Sequence, residues 1–247
     1  MSILDELLDS LPTAPVPVRD VLVGSHWTVV CSSGAGMAAT LMADRPHGRS
    51  RVREVGRLHE KPAQALAELA RSTNPLEASI GLAAINSLLV VDESRAREIN
   101  AAEVLAERGR GRNVAMIGHF PFVDALRPQV GTLWIIERNP VEGDYPSEAA
   151  GDLLPQADVV AITGSTIVNH TLDGLLALCR PGSEIMVLGP STPLSSVLFK
   201  HGVHVLSGTR VMDEAAVLRT VAQGAGFRQV EGVRLLTLVR EDSPDAR

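Results

Sequence analysis

Aromatic side chains are nearly missing from this sequence: four Phe, two Trp and one Tyr in 247 residues, 3% of the chain. A core of ordinary size must therefore be built from Leu, Val, Ile and Ala. That suits helices packed on a parallel sheet, whose strands read as aliphatic runs. Cysteine is scarce as well. Cys31 and Cys179 are too few and too far apart for a disulfide framework or a zinc knuckle, and read as small buried hydrophobes in a reducing compartment. No apolar run approaches the ~20 residues of a membrane span. The N-terminal Met1 to Leu8 mixes Asp5 and Glu6 with leucines and lacks a basic start, so it reads as a short amphipathic helix and not as a signal peptide. No membrane partner is expected, and the expected location is cytoplasmic. A basic excess is lacking too: 23 Lys and Arg against 29 Asp and Glu leave a net charge of −6. Phosphate-backbone binding needs clustered cations. The one basic run, Arg108-Gly109-Arg110-Gly111-Arg112, reads as a solvated linker, and no nucleic-acid partner is expected.

What is present is 45% hydrophobic and 21% charged, the composition of a globular protein with room for one large domain or two small ones. After Pro12, Pro15 and Pro17, strand-like runs at Val18 to Val23, Trp27 to Ser32 and Met37 to Met42 predict an antiparallel meander, with Gly24-Ser25 and Ser33-Gly34-Ala35-Gly36 as turns. Helices are predicted over Pro62 to Arg71, from Asn74-Pro75 to about Val91, and over Ala101 to Arg108, which ends at Gly109. Asn86 interrupts the apolar face of the second. It either bonds neighbouring backbone or contacts a ligand, since a buried amide needs partners.

From Asn113 the pattern changes to strands alternating with helix-length segments, the signature of βαβ units. Strands are predicted at Val114 to Gly118, Thr132 to Glu137, Asp158 to Gly164, Glu184 to Gly189, Val203 to Ser207 and Val233 to Val239. Helices are predicted at Ser147 to Leu154, Val168 to Cys179, Pro193 to Lys200 and from Asp213 towards Gly224. Thr192 is the expected N-cap of the third of these, with Pro193 at its first position. The fold class is therefore α/β: residues 111–247 form a Rossmann-like, mostly parallel sheet domain, preceded by a small α+β domain over residues 1–110.

Three strands end in glycine-containing loops: Gly118-His119-Phe120-Pro121, Thr163-Gly164-Ser165-Thr166 and Gly189-Pro190-Ser191-Thr192. Open parallel sheets bind ligands beyond the carboxyl ends of their strands, where glycine admits close backbone approach and free N–H groups attract anionic or polar atoms. The second and third loops read as a matched pair of hydroxyl and backbone donors. Capping of the following helices is the competing reading, and the two can coexist. Gly118 starts no G-x-G-x-x-G fingerprint, which argues against dinucleotides. Glu137 ends the next strand 19 residues after Gly118, where a Rossmann-like site accepts a ribose hydroxyl, so a nucleoside such as S-adenosylmethionine stays open; a surface ion pair is the alternative. In the irregular stretch that follows, Asn139, Asp144 and Tyr145 are candidate ligand contacts, with turn formation explaining Gly143-Asp144 equally well. His119 and His170 lie at the same edge as candidate general bases. No His-x-x-x-His, Cys-x-x-Cys or Gly-x-Ser-x-Gly spacing supports a metal cage or a serine hydrolase, His201 and His204 need not converge, and no metal-ligating residue is assigned.

The run Ala157-Asp158-Val159-Val160-Ala161-Ile162-Thr163-Gly164-Ser165-Thr166-Ile167-Val168-Asn169-His170-Thr171-Leu172 carries a resemblance. So do Leu188-Gly189-Pro190-Ser191-Thr192-Pro193-Leu194, Gly202-Val203, Ser207-Gly208-Thr209-Arg210-Val211 and Glu137-Arg138-Asn139-Pro140. Together they resemble the domain family named Putative heavy-metal chelation. The meander and the Gly81 to Asn86 segment resemble the small enolase N-terminal-like domain that precedes it. The resemblance implies a two-domain protein, often a homodimer, with a site between the domains that handles a metal chelate, a metallophore or its precursor. It supplies a location and no catalytic identities. The sequence thus leaves three functions open: an interdomain site for a small polar or anionic ligand, with or without a divalent metal; a transferase using an S-adenosylmethionine-like nucleoside, held by Gly118 and Glu137 with His119 or His170 moving a proton; and a non-catalytic metal-delivery or regulatory module.

Overall fold

The computed structural model describes residues 1–42 and 52–241; of the two expected domains, residues 43–51 and 242–247 lie outside the described residues. The chain opens with α1 (Ile3–Asp9), fixed by a capping box in which the Ser2 hydroxyl accepts from Asp5 N–H and the Asp5 carboxylate accepts from Ser2 N–H. Strands β1 (Asp20–Val23), β2 (Trp27–Cys31) and β3 (Ala35–Ala39) form the expected antiparallel meander. Helix α2 (Ala63–Ala67) tightens into a 3₁₀ turn over Glu68–Arg71. It is followed by α3 (Pro75–Leu88), capped by the Asn74 side chain.

Helix α3 organises this unit. Ala78, Ile80, Leu82, Ala83, Ala84, Ile85 and Leu88 are all buried, so the helix is apolar almost all round, as a helix enclosed by neighbours must be. Its small residues let backbones touch. A Cβ on Gly36 would fall 2.2 Å from the Ala83 carbonyl oxygen, and one on Gly81 would fall 1.9 Å from the Ala70 nitrogen. Strand β3 and the end of α2 therefore press directly on opposite sides of α3.

A seven-stranded sheet follows, in the order β10-β9-β8-β7-β4-β5-β6. Its members are β4 (Asn113–Ile117), β5 (Thr132–Glu137), β6 (Tyr145–Pro146), β7 (Val159–Thr163), β8 (Glu184–Leu188), β9 (Val205–Val211) and β10 (Val233–Val239). All neighbouring pairs are parallel except β9 with β10. The chain leaves β4 towards β5 and later returns to β7 on the other side of β4. The strand order reverses between β4 and β7, and a crevice opens beyond the carboxyl ends of such strands. One sheet face is covered by α4 (Ala101–Arg108) and α5 (Val123–Leu126), which pack on Val114, Met116, Ile135 and Val159. Helix α5 was not foreseen from the sequence. The opposite face carries α6 (Ala150–Leu153), α7 (Ser165–Val168), α8 (Leu172–Leu178), α9 (Val197–Lys200) and the small unit, all sharing one hydrophobic cluster. Helix α10 (Glu214–Ala222) packs Val217 and Val221 against Val29 and Cys31 of the meander. The two sheets are joined by continuous core.

Two predicted helices differ from what is observed. The helix expected over Val168 to Cys179 is split, because His170 turns the chain at φ +59° between α7 and α8. The helix expected from Pro193 begins only at Val197, and Thr192 caps nothing: its Oγ1 is buried without a partner. The cause is tertiary. The Ser191 Oγ accepts from Ala39 N–H at 2.8 Å and the Ser191 carbonyl accepts from Asn86 Nδ2 at 3.2 Å. These bonds hold the chain on β3 and α3 before a helix can begin.

Candidate functional site

The carboxyl edge at the strand-order reversal is built by neighbouring register positions: Ile117 lies beside Ile136 and Ile162, and Thr163 beside Leu188. Gly118 leaves β4 at φ +100°, a conformation costly for any residue with a Cβ, and a Cβ there would lie 3.1 Å from Thr163 Cγ2. The amides of the three loop glycines are not free. Gly118, Gly164 and Gly189 N–H groups donate to the carbonyls of Ile136, Leu188 and Ser207, continuing the sheet ladder.

Above this edge lies a cavity of about 550 Å³. Gly118, Glu137, Thr163, Ser165, Thr166 and Asn169 line it. The Thr163 and Ser165 hydroxyls are 3.1 Å apart, and Thr166 Oγ1 donates to the Thr163 carbonyl at 2.7 Å. Asn169 Oδ1 accepts from the Thr171 hydroxyl at 2.6 Å and from its N–H at 3.2 Å. A second cavity, about 420 Å³, adjoins the first between the large sheet and the small unit. Its walls include Ser72, Thr73, Asn139 and His170, and it shares Glu137, Arg138, Ser165 and Asn169 with the first. His170 bridges the units: its Nε2 is 2.7 Å from the Ala70 carbonyl, to which it donates.

Glu137 is committed to backbone. Its Oε2 accepts from His119 N–H at 3.0 Å and its Oε1 from Arg138 N–H at 2.8 Å, which fixes the loop after β4. His119 Nδ1 is 3.1 Å from the Asp144 carboxylate, whose side chain is 3% exposed while that of His119 is 43% exposed. Asp144 also accepts from Val141 N–H, so it closes its own turn and orients the imidazole at once.

Family models described as Putative heavy-metal chelation match residues 4–89 and 100–240. The chain belongs to this family. A crystal structure of a family member of unknown function from Desulfitobacterium hafniense is 31% identical, with a TM-score of 0.82 over 96% of this chain and 98% of that one. A second, from Pyrococcus horikoshii, shares the fold at 22% identity, with a TM-score of 0.81 and the same coverage. An uncharacterized protein of Methanocaldococcus jannaschii is 27% identical over 206 residues, 80% of this chain and 76% of that protein.

The candidate residues named from the sequence divide between the cavities and the junction of the two units. Gly118, Glu137, Asn139, Thr163, Ser165, Thr166, Asn169 and His170 line the two cavities; Gly164, Gly189, Pro190, Ser191, Thr192 and Asn86 do not. Gly164 is pressed onto Thr192, whose nitrogen would be 2.6 Å from a Cβ there. The Phe120 ring reaches both Gly118 and Gly189, and stacks on Phe122 at 5.4 Å, covering the Gly189 loop on that side. Asn86 donates to Met37 and Ser191 carbonyls at 2.8 and 3.2 Å, the backbone-bonding alternative raised by its sequence position. The matched pair of loops expected from the sequence is thus one cleft loop and one strut. His119 stands beside the cavity on the Gly118 loop. His201 and His204 do not converge: the first pairs with Glu6 at 3.0 Å and the second accepts from Ile185 N–H at 3.1 Å. Among the described residues no group of three His, Cys, Asp or Glu is placed to hold a metal ion. Burial pushes the thiols of Cys31 and Cys179 up to about 11, so neither is a thiolate near neutral pH. Also among the described residues, no helix is long and apolar enough to cross a membrane.

Polar lining residues that were not named as site candidates include Ser72 and Thr73 from the small unit and Ser147, Glu148 and Thr171 from the large one; Arg138 had entered only as part of a motif. The turn cluster Ser72-Thr73-Asn74-Pro75 between two helices was the available signal, but nothing in it says which wall it faces.

Proposed function

We propose that this protein binds a small polar or anionic ligand, a chelating metabolite or its metal complex, in the cleft between its two domains. The observation that carries the reading is that two cavities, one at the strand-order reversal and one against the small unit, share Glu137, Arg138, Ser165 and Asn169 as a common wall. Hydroxyls and amides are the commonest polar groups of the lining, with Arg138 as a cation and Glu137 and Glu148 as carboxylates. Such groups recognise ligand oxygens by hydrogen bonds, which gives selectivity because unpaired partners are costly when enclosed. The reading puts any metal on the ligand, which brings its own donor atoms to the cleft. Family membership supports the metal connection.

The test is a thermal shift with citrate and with nickel citrate on the full chain. A ligand that binds only the folded state raises the melting temperature, with a stabilisation that grows as the logarithm of its concentration over its Kd. The expected result is a shift with at least one probe that Asn169→Ala removes and Ser191→Ala, on the junction loop, retains. A shift equal in both variants would place binding elsewhere and end this reading.

Glu137 at the cavity wall favours a second reading, a transferase using an S-adenosylmethionine-like nucleoside. Its carboxylate oxygens each keep a lone pair beyond their backbone bonds. No shift with S-adenosylmethionine at millimolar concentration would dispose of it.

A further inference from the structure

Ordering an exposed side chain costs rotamer entropy, yet the His119 ring, 43% exposed, is held in place. Its loop and that of its partner Asp144 are both turned by left-handed glycines, Gly118 at φ +100° and Gly143 at φ +92°. The Asp144 side chain is 3% exposed, and a buried carboxylate must be paired. Among the described residues its partners are the Val141 N–H at 3.3 Å and His119 Nδ1 at 3.1 Å. Closing the turn uses the first of these and leaves the ring unaccounted for. A carboxylate only accepts, so Nδ1 carries the hydrogen between them, and in the neutral ring the lone pair lies on Nε2. Nε2 has no partner among the described residues. The ring stands at the rim of the cleft: Gly118 lines the larger cavity, and the His119 N–H is bound by Glu137, which lines both.

An imidazole that gives Nδ1–H to a carboxylate and keeps Nε2 free is the arrangement of a metal-ligating histidine, in which the carboxylate fixes the tautomer and makes the other nitrogen more basic. It is a single donor. With no group of three His, Cys, Asp or Glu placed around it among the described residues, it cannot cage a bare ion. It can complete a complex whose other donors come from the ligand. We propose that His119 Nε2 is the protein's donor atom to the metal of a chelate seated in the cleft, with Asp144 as its positioning residue. On binding, the Nε2 lone pair replaces a water on the metal, Nδ1 keeps its hydrogen, and nothing is oxidised or reduced. The protein then takes complexes that carry an exchangeable position and passes over those whose ligand encloses the metal. The proposal rests on the cleft reading above and adds to it the class of complex accepted.

The probes are copper(II) iminodiacetate, which keeps water-filled positions on the metal, and copper(II) ethylenediaminetetraacetate, whose ligand encloses it. Each is titrated into the full chain while the imidazole ring-proton NMR signals are followed, because bound copper broadens the signals beside it. His26 and His59 are exposed, lack a carboxylate partner among the described residues, and serve as references. The His119 signals are expected to broaden at a concentration of the iminodiacetate complex at least tenfold below that needed at His26 and His59. The enclosed complex is expected to broaden none of them. Asp144→Asn should weaken the His119 site about tenfold, His119→Gln should remove it, and Asn169→Ala should weaken it, with His26 and His59 unchanged throughout. Broadening of His119 no earlier than the references, no response to Asp144→Asn, or equal broadening by both complexes would overturn the donor. The cleft reading is then judged separately, by the citrate thermal shifts and their loss in Asn169→Ala. A tight His119 site indifferent to Asn169→Ala would put the complex outside the cleft and overturn that reading together with the proposal.

Discussion

Substituting Gly81 by alanine should destabilise this protein even though alanine is the better helix former. Gly81 is interior to α3, where exchange for alanine alone gains about 1 kcal/mol. The added Cβ, however, would lie 1.9 Å from the Ala70 nitrogen, 2.5 Å from its Cα and 2.6 Å from the Leu69 carbonyl carbon. All three are backbone atoms, so no rotamer change relieves the clash. Reaching ordinary contact distance requires α2 and its 3₁₀ extension to retreat by roughly 1.5 Å, which opens a buried interface lined by Leu66, Ala70 and Ile80. Overpacking of a core typically costs about 1–3 kcal/mol. The upper end applies where backbone must move, leaving a net loss of about 2 kcal/mol and, for a chain of this length, a fall in melting temperature of roughly 4–8 °C. The displacement should also reach the cleft, because the Ala70 carbonyl it moves is the one bound to His170. The assay is urea unfolding at neutral pH beside Gly174→Ala, a helix glycine with open space around it. Gly174→Ala is expected to gain about 1 kcal/mol. The same substitution thus has opposite signs at two helix positions. A Gly81→Ala midpoint at or above that of the parent would show that the close approach is not enforced and would refute the reasoning.

Two further outcomes are expected. Asn86→Leu keeps the side-chain size but leaves the Met37 and Ser191 carbonyls without their donor; it should cost about 2 kcal/mol, read from the urea midpoint, and an unchanged midpoint would mean that Asn86 is no strut between the units. The Arg71 guanidinium, and after it the Ser2 hydroxyl and amide, hold the Asp5 carboxyl at about 2, below its ordinary 3.8. The folded value is the depressed one, so the Asp5 contribution is fully present above pH 4 and is lost as pH falls from about 4 to about 2. In melting curves across that window the parent should lose more stability than Asp5→Asn, and parallel curves would exclude Asp5 as a contributor.

Much of the architecture was already legible in the sequence because local physics decides it. Aliphatic runs spaced by helix-length segments specify a parallel sheet, and alternating short strands separated by glycine turns specify the meander. Asn74, Asn100 and Asp213 cap the helices they precede through their own side chains. The carboxyl edge of the sheet was legible too, since glycines follow the strands β4, β7 and β8 that end there. What the sequence could not decide was the division of labour among motifs of identical appearance. Thr163-Gly164-Ser165-Thr166 and Gly189-Pro190-Ser191-Thr192 present the same residue types after the same kind of strand. One loop faces the cleft; the other is bound by Ala39 and Asn86, which lie 152 and 105 residues away in the chain. The Pro193 helix start and the Thr192 cap failed for the same reason: hydrogen bonds to a distant element outweigh a local capping preference worth about 1 kcal/mol. Glycine shows the distinction most clearly. Gly81 and Gly174 look alike as single glycines inside helices, and only the packing of α2 against α3 makes the first obligatory and leaves the second unconstrained.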